Sequence, residues 1–501
     1  MKRILIYSVC EDIVALELAI DNIEKGNEVF LLECDHILKN CQHNRSGLRF
    51  MCGHCYHSMH NVIKKLKLDK KAKLLQLSKV ITSDDLQEAN NFKIDFDSVQ
   101  ELKDLRYKGA QLGYGAFSNY VSFSRNVMPN ITEDFKNYIR HLIKKEIIVF
   151  NAIERLHNRL HFDQIVFHNG RFAQFKPFLE FAKINGIDYV ATEVINDNGK
   201  ILKDLFYNDI PQSIHYWANN IKRNWEKADP VERESIARSF FDKRRKGIPA
   251  GDKVYIKGQH SGEMPDDWNN EVENITIFNS SEDEFYAVSS DYDSYLLFPN
   301  QYEALKTLFE HYKNDETKHF YLRIHPNLTN VPYKSHRALY GLKYKNVTII
   351  PPDSPISSYS LLDYSDKIII FNSTIGVEAA YWGKPVISLS KFLYWELGFL
   401  YHPDTIDDIW PLVDNKILPV SYNDNVLKYA YWLLKKNYPA IEHIPYCFVG
   451  TFLGHVFNKP TIMKFLGSYK LNVLIKALSD RYVSSSKTSI YPSTEPYNIS
   501  M

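Results

Sequence analysis

Between Phe320 and Ser388 the chain runs apolar strand, polar loop, helix and apolar strand, an order that few architectures accept. His325-Pro326 closes one apolar run, and Asn372-Ser373-Thr374-Ile375-Gly376 closes another. A helical segment containing Glu378 follows, then Gly383-Lys384-Pro385 and a third apolar run. Short apolar strands alternating with helices build a doubly wound α/β domain, a parallel sheet with helices on both faces. Small hydroxyl residues at a strand-to-helix turn suit an anion. The unpaired N–H groups and positive end of the helix dipole face it, and short side chains let it approach. The expected ligand is a phosphate, and through it a nucleotide-linked substrate.

The same alternation recurs along the whole chain. In the N-terminal half, Ile4 to Val9 is apolar, Ile13 to Ile23 has helical periodicity, Gly26 fits a C-terminal cap and Val29 to Leu32 is apolar again. No Gly-x-Gly-x-x-Gly follows the first strand, which disfavours a dinucleotide site there. A second unit runs from Gln164 to Val194, with the turn Asn169-Gly170-Arg171, a helix to Lys183 and a strand from Tyr189 to Thr192. Between the two, Gly109 to Asn126 reads as a loop with close backbone approaches.

Residues 205–250 read as a polar, aromatic, helical connection. Strands are then expected at Val254 to Ile256, Ile275 to Phe278, Tyr295 to Phe298, Phe320 to Ile324, Val347 to Ile350, Ile368 to Phe371 and Val386 to Leu389. The expected organisation is two Rossmann-like doubly wound domains facing a cleft. Their bounds are 1–215 for the acceptor domain, 216–250 for the connection and 251–425 for the donor domain. Closing helices over 426–483 and a disordered tail over 484–501 complete the chain.

A chain of 501 residues is too long for one ordinary core, and a formal net charge of +1 provides no global field for nucleic acid. No run approaches the roughly 18 apolar residues that cross a bilayer. The start, Met1-Lys2-Arg3 before an apolar stretch, is cut short by Glu11 and Asp12, so a first buried strand and a cytoplasmic location are expected. Lys64, Lys65, Lys67, Lys70, Lys71 and Lys73 read as a solvated helix face. The competing reading is contact with anionic lipid or glycan, peripheral at the inner face of a membrane.

His325 ends a strand where a parallel sheet binds ligands, and Pro326 fixes the chain after it. There it donates to a phosphate or sugar oxygen or carries a proton to a leaving group, or else it only caps a backbone carbonyl. Ser373 and Thr374 hold phosphate or serve as ordinary helix caps. Arg323 is a reserve candidate, since alternation along the strand turns it away from His325.

Taken together, His325-Pro326, Ser373-Thr374-Ile375-Gly376-Val377-Glu378-Ala379 and Gly383-Lys384-Pro385-Val386 resemble the donor half of GT-B glycosyltransferases. More narrowly, they resemble bacterial capsule and surface-polysaccharide biosynthesis proteins, and sialyltransferase-like enzymes with His-Pro and Ser-Ser/Thr motifs. Asn279 to Glu284 and Asn169-Gly170-Arg171 also resemble stretches of the capsule group. The resemblance covers residues 250–400.

It implies a transferase that moves a sugar from a nucleotide donor to a surface glycan or lipid-linked glycan, without a catalytic metal. His325 would contact the nucleotide phosphate or departing sugar, Ser373 and Thr374 phosphate oxygens, and Glu378 the ribose, with Gly376 in the same set. The acidic residue followed by Asp-Gly found in the sialyltransferase-like relatives is absent. Glu11, Asp12 and Glu193 follow strands and are the candidates for a general base, with helix capping as the plainer role for the first two. A CDP-linked phosphopolyol transferase, a nucleotide-sugar epimerase and a catalytically inactive glycan-binding or scaffold module are the other readings. The motifs leave CMP, UDP and GDP open.

Cys34, Cys41, Cys52 and Cys55 stand close in sequence, the last two as Cys-x-x-Cys, with five histidines among and after them. Four such ligands would close a structural zinc site, with reduced structural thiols or redox chemistry as alternatives.

Overall fold

The computed structural model describes residues 1–8, 13–35, 38, 41, 44, 49–197, 200–251, 255, 258–329, 331, 334–420, 424–444, 451–452 and 455–456. The expectations placed on Glu11, Asp12, the strand over 254–256, the helices beyond 456 and the tail from 484 lie outside the described residues.

Two parallel sheets organise the chain. The first contains β1 (Arg3–Ser8), β2 (Glu28–Glu33), β3 (Lys73–Gln76), β4 (Gln164–His168), β5 (Asp188–Asp197) and β6 (Lys200–Tyr207). Its order is β3-β2-β1-β4-β5-β6, and only β6 runs antiparallel, against β5. The second contains β7 (Glu273–Phe278), β8 (Lys318–Arg323), β9 (Val347–Ile350), β10 (Lys367–Ile370) and β11 (Val386–Ser388), in the order β11-β10-β7-β8-β9. The central strands are covered on both faces, so they read as unbroken apolar runs without alternation. Ile4 to Tyr7 are at most 1% exposed and Ile368 to Ile370 are fully buried.

Each sheet reverses its winding once, between β1 and β4 in the first and between β7 and β10 in the second. In doubly wound sheets the crevice outside the carboxyl ends at such a point is where ligands bind. The two carboxyl edges face each other. After β4, Arg171 donates Nη1 to the Glu284 carbonyl after β7 at 2.5 Å. Lys176 reaches the Val288 carbonyl at 3.3 Å, and Lys103 and the Tyr114 hydroxyl both bind Asp293 Oδ2, at 2.8 and 2.9 Å.

Helices Ile214–Lys227 and Arg233–Arg245 occupy most of residues 214–245. Helix Asn425–Lys435 packs against both, and the chain then returns to the first domain. There the backbone N–H groups of Glu442 and His443 donate to the buried Glu17 carboxylate, at 2.6 and 3.1 Å.

Three expectations are corrected. Leu112–Ser124 is a buried helix rather than a loop. Its glycines permit close packing: a Cβ on Gly113 would stand 1.8 Å from the Leu102 carbonyl oxygen, and one on Gly115 2.0 Å from Glu146 Oε1. Tyr295 to Phe298 is not a strand but part of the connection between the short helix Ser290–Asp293 and helix Gln301–Tyr312. The basic run is not one helix face, because it passes from the end of helix Arg49–Lys65 into the edge strand β3, where Lys73 pairs with Glu28. Lysine on an exposed edge strand also discourages pairing with another chain. Among the described residues no helix is long and apolar enough to cross a membrane.

Candidate active site at the facing sheet edges

On the second domain, His325 follows β8 and Ser373 and Thr374 follow β10, so they flank the end of β7 rather than sitting on adjacent strands. Two strand spacings put these positions about 10 Å apart. The loop after β7 lies between them. Asn279 Oδ1 accepts the His325 backbone N–H at 2.7 Å, which fixes the strand-end turn.

The His325 ring is oriented from both sides. Its Nδ1 accepts the Asn327 N–H at 3.1 Å, and Tyr255 packs edge-on at 5.2 Å. A ring that accepts at Nδ1 holds its proton on Nε2, which makes Nε2–H the outward donor. Burial, and then the neighbouring Arg323, push this histidine down to about 4, so it is a neutral donor at pH 7. Arg323 itself is 2% exposed and binds the carbonyls of Pro351 and Ser354, which makes it a structural strut.

A pH dependence follows. The unfolded ring titrates near 6.5 and the folded ring near 4, so between these values the unfolded state binds more protons. His402, also held at about 4 by burial and then Lys391, acts in the same direction. Their contribution to stability is therefore expected to fall as pH drops from about 6.5 towards 4. It is opposed by Glu282 and Asp204, whose carboxyls burial raises to about 8 and about 6, so the His325 part is read as the difference in slope between the wild type and His325→Gln. Thermal unfolding of both proteins across that window checks it; identical slopes would contradict the assignment.

Thr374 stands at the N-cap of Ile375–Tyr381 with no side-chain cap bond, so its hydroxyl is not used as a helix cap. The Ser373 carbonyl accepts the Tyr394 hydroxyl at 2.7 Å, and Asn372 Oδ1 accepts from Ser390 at 2.5 Å. Gly376 is placed differently from the expected phosphate contact. A Cβ there would stand 2.3 Å from Ile370 Cδ1, so the glycine seats the turn on β10.

Glu378 is fully buried. Its Oε1 binds Arg244 Nε at 2.8 Å and its Oε2 accepts the Tyr359 hydroxyl at 2.5 Å. A ribose contact would require it to leave these partners.

A cavity of about 30 Å³ lies beside β7 and β10, lined by Glu282, Tyr286, Tyr292, Asn372 and Ser390 among others. That holds about one water and is too small for a nucleotide. Glu282 was not singled out from sequence. Burial pushes its carboxyl up to about 8, against the Gln301 N–H it accepts and the charge of Lys103.

On the first domain the reversal between β1 and β4 presents His168, Asn169, Gly170 and Arg171. Asn169 (φ 54°) and Gly170 (φ 88°) make a tight left-handed turn that ends β4 and aims Arg171 at the opposite edge. Glu193 on β5 accepts from the Asn169 amide and lies 3.9 Å from His168 Nε2. Arg171 is 8% exposed, and burial lowers its guanidinium against the pull of Glu193, Asp283 and Glu284. The structure thus brings Glu193 together with His168, which sequence reasoning passed over. A histidine at the end of a strand, just before Asn-Gly, was the available signal.

Cys34 directly follows β2, and Cys52 and Cys55 lie on helix Arg49–Lys65. Burial raises the Cys34 thiol well above its ordinary value, with Cys41, Cys55 and Cys52 adding to the effect. Among the described residues the only trio of ligand atoms within 4.8 Å of one another belongs to Glu17, Asp21 and His443. The Lys203 ammonium already lies 3.6 Å from Glu17 and 3.3 Å from Asp21, so that trio is an ion-pair clip for the returning chain.

Two Rossmann-like domains with opposed carboxyl edges form the GT-B architecture. Neither a family model nor a curated protein sequence matches the chain. Solved structures that resemble it include Thermosulfurimonas dismutans KpsC, beta Kdo 2,4 transferase, at 16% identity over 54% of this chain and 80% of that one, with a TM-score of 0.34. Another is the Methanocaldococcus jannaschii UDP-GlcNAc 2-epimerase in complex with UDP-GlcNAc and UDP, at 12% identity over 87% and 100%, TM-score 0.22. The Streptomyces sp. SF2575 glycosyltransferase SsfS6, complexed with thymidine diphosphate, aligns at 9% identity over 88% and 97%, TM-score 0.22. All three scores lie below 0.5, so the fold assignment rests on the sheet topology of this chain.

Proposed function

We propose that this protein is a glycosyltransferase that moves a sugar from a nucleotide-activated donor to a bacterial surface glycan. The observation that supports it most is the opposition of two sheet reversals, with His325, Ser373 and Thr374 at one and His168, Glu193 and Arg171 at the other. A transferase needs those two halves: donors for a departing phosphate and a base for the attacking hydroxyl.

In this reading the Nε2–H of His325 and the hydroxyls of Ser373 and Thr374 hold phosphate oxygens of the donor. Glu193, oriented by Asn169 and beside His168, takes the proton of the acceptor hydroxyl. The acceptor oxygen forms a bond to the anomeric carbon as the bond from that carbon to the phosphate oxygen breaks. The nucleotide leaves with the electron pair. Glu11 and Asp12, the other candidate bases, lie outside the described residues. The reaction as written uses no metal, and a peripheral membrane location would bring a lipid-linked acceptor to the cleft.

The chemistry of the product tests this. Incubation with nucleotide-activated sugars and glycan acceptors is expected to release free nucleotide and leave a glycosidic bond. A phosphodiester in the product would move the assignment to a CDP-linked phosphopolyol transferase.

A further inference from the structure

The lysines between Lys64 and Lys73 have no part in the candidate site, and the fold brings them to one exposed place. Helix Arg49–Lys65 ends with Lys64 and Lys65, a tight turn follows, the one-turn helix Leu68–Lys71 adds Lys70 and Lys71, and Lys73 opens β3. Ile63 and Leu68 are buried and pack with Ile4, Val29 and Leu31 of the first sheet. With those two residues anchored inward, Lys64, Lys65, Lys67, Lys70, Lys71 and Lys73 are all left exposed. The Lys67 N–H donates to the Lys64 carbonyl at 3.0 Å and the Ala72 N–H to the Leu68 carbonyl at 2.8 Å, which holds the turn closed. Because β3 runs parallel to β2, it begins at the end of the sheet away from the cleft. Exposed Lys2 and Lys25 stand just before β1 and β2 at that same end.

Little negative charge offsets these lysines. Asp69 is the sole carboxylate between residues 61 and 76. Lys73 pairs with Glu28, which also binds Arg3, whereas Lys64, Lys67, Lys70 and Lys71 form no ion pair among the described residues. Lys67 has φ 53° and ψ 28°, the left-handed region where glycine is unstrained and a side chain is disfavoured. Glycine would serve the turn better, so the lysine there adds charge at the middle of the patch at some cost to folding.

What such a surface recognises follows from what it lacks. Residues 61–73 contain no arginine, whose planar fork selects carboxylate or phosphate in a fixed geometry, and no aromatic ring on which a base could stack. Lysine ammoniums are point charges on flexible stems. They match a broad negative field without stereochemistry, which is what an anionic lipid surface presents. We propose that the turn from Lys64 to Lys73 docks this protein on anionic membrane lipid. The attachment is electrostatic and reversible, and the cleft then opens on the side of the first domain away from the bilayer. There it would meet the far end of a lipid-linked glycan rather than the sugar next to the lipid. Docking itself does not depend on the transfer reaction, whereas the approach of the glycan rests on that reading.

The test is co-sedimentation of the full-length protein with vesicles of phosphatidylcholine alone and of phosphatidylcholine mixed with phosphatidylglycerol. Binding is expected to the mixed vesicles only, and it should weaken as added salt shortens the range of the field. Each lysine near an anionic surface raises partitioning by about fivefold, so Lys67→Gln, Lys70→Gln and Lys71→Gln together should weaken binding by about 100-fold. Lys67→Arg, Lys70→Arg and Lys71→Arg together keep the charge and should bind as the wild type does. Lys67→Gly separates docking from folding: the thermal midpoint should hold or rise while vesicle binding falls by about fivefold. Equal binding to neutral vesicles would overturn the proposal, as would undiminished binding with all three lysines changed to glutamine. Absence of binding to the mixed vesicles would overturn it too, and retention on a soluble anionic glycan would then assign the lysines to that polymer.

Discussion

Replacing His325 with alanine is expected to lower kcat/KM for the nucleotide donor by about 10²- to 10³-fold, the range for removing one preorganised donor to a developing anion. The Nε2–H is the only ring donor left once Nδ1 has accepted the Asn327 N–H, and alanine removes it. His325→Gln keeps an amide N–H in the neighbourhood and should recover part of the loss. Because the folded imidazole titrates near 4, wild-type activity should show no ionisation of this group between pH 6 and 8 in the free enzyme. A His325→Ala enzyme with unchanged kcat/KM would remove it from the donor site.

Arg244→Ala is expected to destabilise the protein by about 3–5 kcal/mol, because it leaves the buried Glu378 carboxylate without its charge partner. Glu378 is fully buried and Arg244 is 7% exposed, so solvent does little to replace the lost contact. The pair binds the linker helix Arg233–Arg245 to the helix that follows β10, and Tyr359 adds a third group. Adding Glu378→Gln to Arg244→Ala should restore much of the loss, which denaturant unfolding of the two variants would measure. If Glu378 instead served a ribose, Glu378→Gln alone would raise KM and leave unfolding unchanged.

Much of this fold was readable because its central strands are buried on both faces. The runs at Ile4, Ile165 and Ile368 are continuous and apolar, the one at Ile275 is broken only by Thr276, and each became a strand. What failed has specific causes. β3 has four residues, two of them Lys73 and Gln76, and only its pairing with β2 makes it a strand. Tyr295 to Phe298 is apolar because it packs beside the domain junction, not because it pairs. Gly113 and Gly115 signalled close approach correctly, but the approach is between helices, and glycine alone does not separate that from a loop.

The site shows the same division. His325, Ser373 and Thr374 were legible as residues at strand ends. The partner that occupies Glu378 lies 134 residues away, and no local pattern could reveal it. Likewise, the pairing of Glu193 with Asn169 and His168 depends on β4 and β5 being adjacent.

The most direct measurement is thermal unfolding of the protein with CMP, CDP, UDP and GDP. A nucleotide at about 100 times its dissociation constant adds roughly 2.7 kcal/mol of apparent stability. Stabilisation by one nucleotide, lost in His325→Ala and in the variant carrying both Ser373→Ala and Thr374→Ala, is the expected result. CMP alone would indicate a CMP-linked acidic sugar, and UDP or GDP an ordinary nucleotide hexose. Stabilisation that survives in both variants, or none from any of the four with acceptor glycan present, would contradict a nucleotide-sugar donor site at the β7–β10 edge.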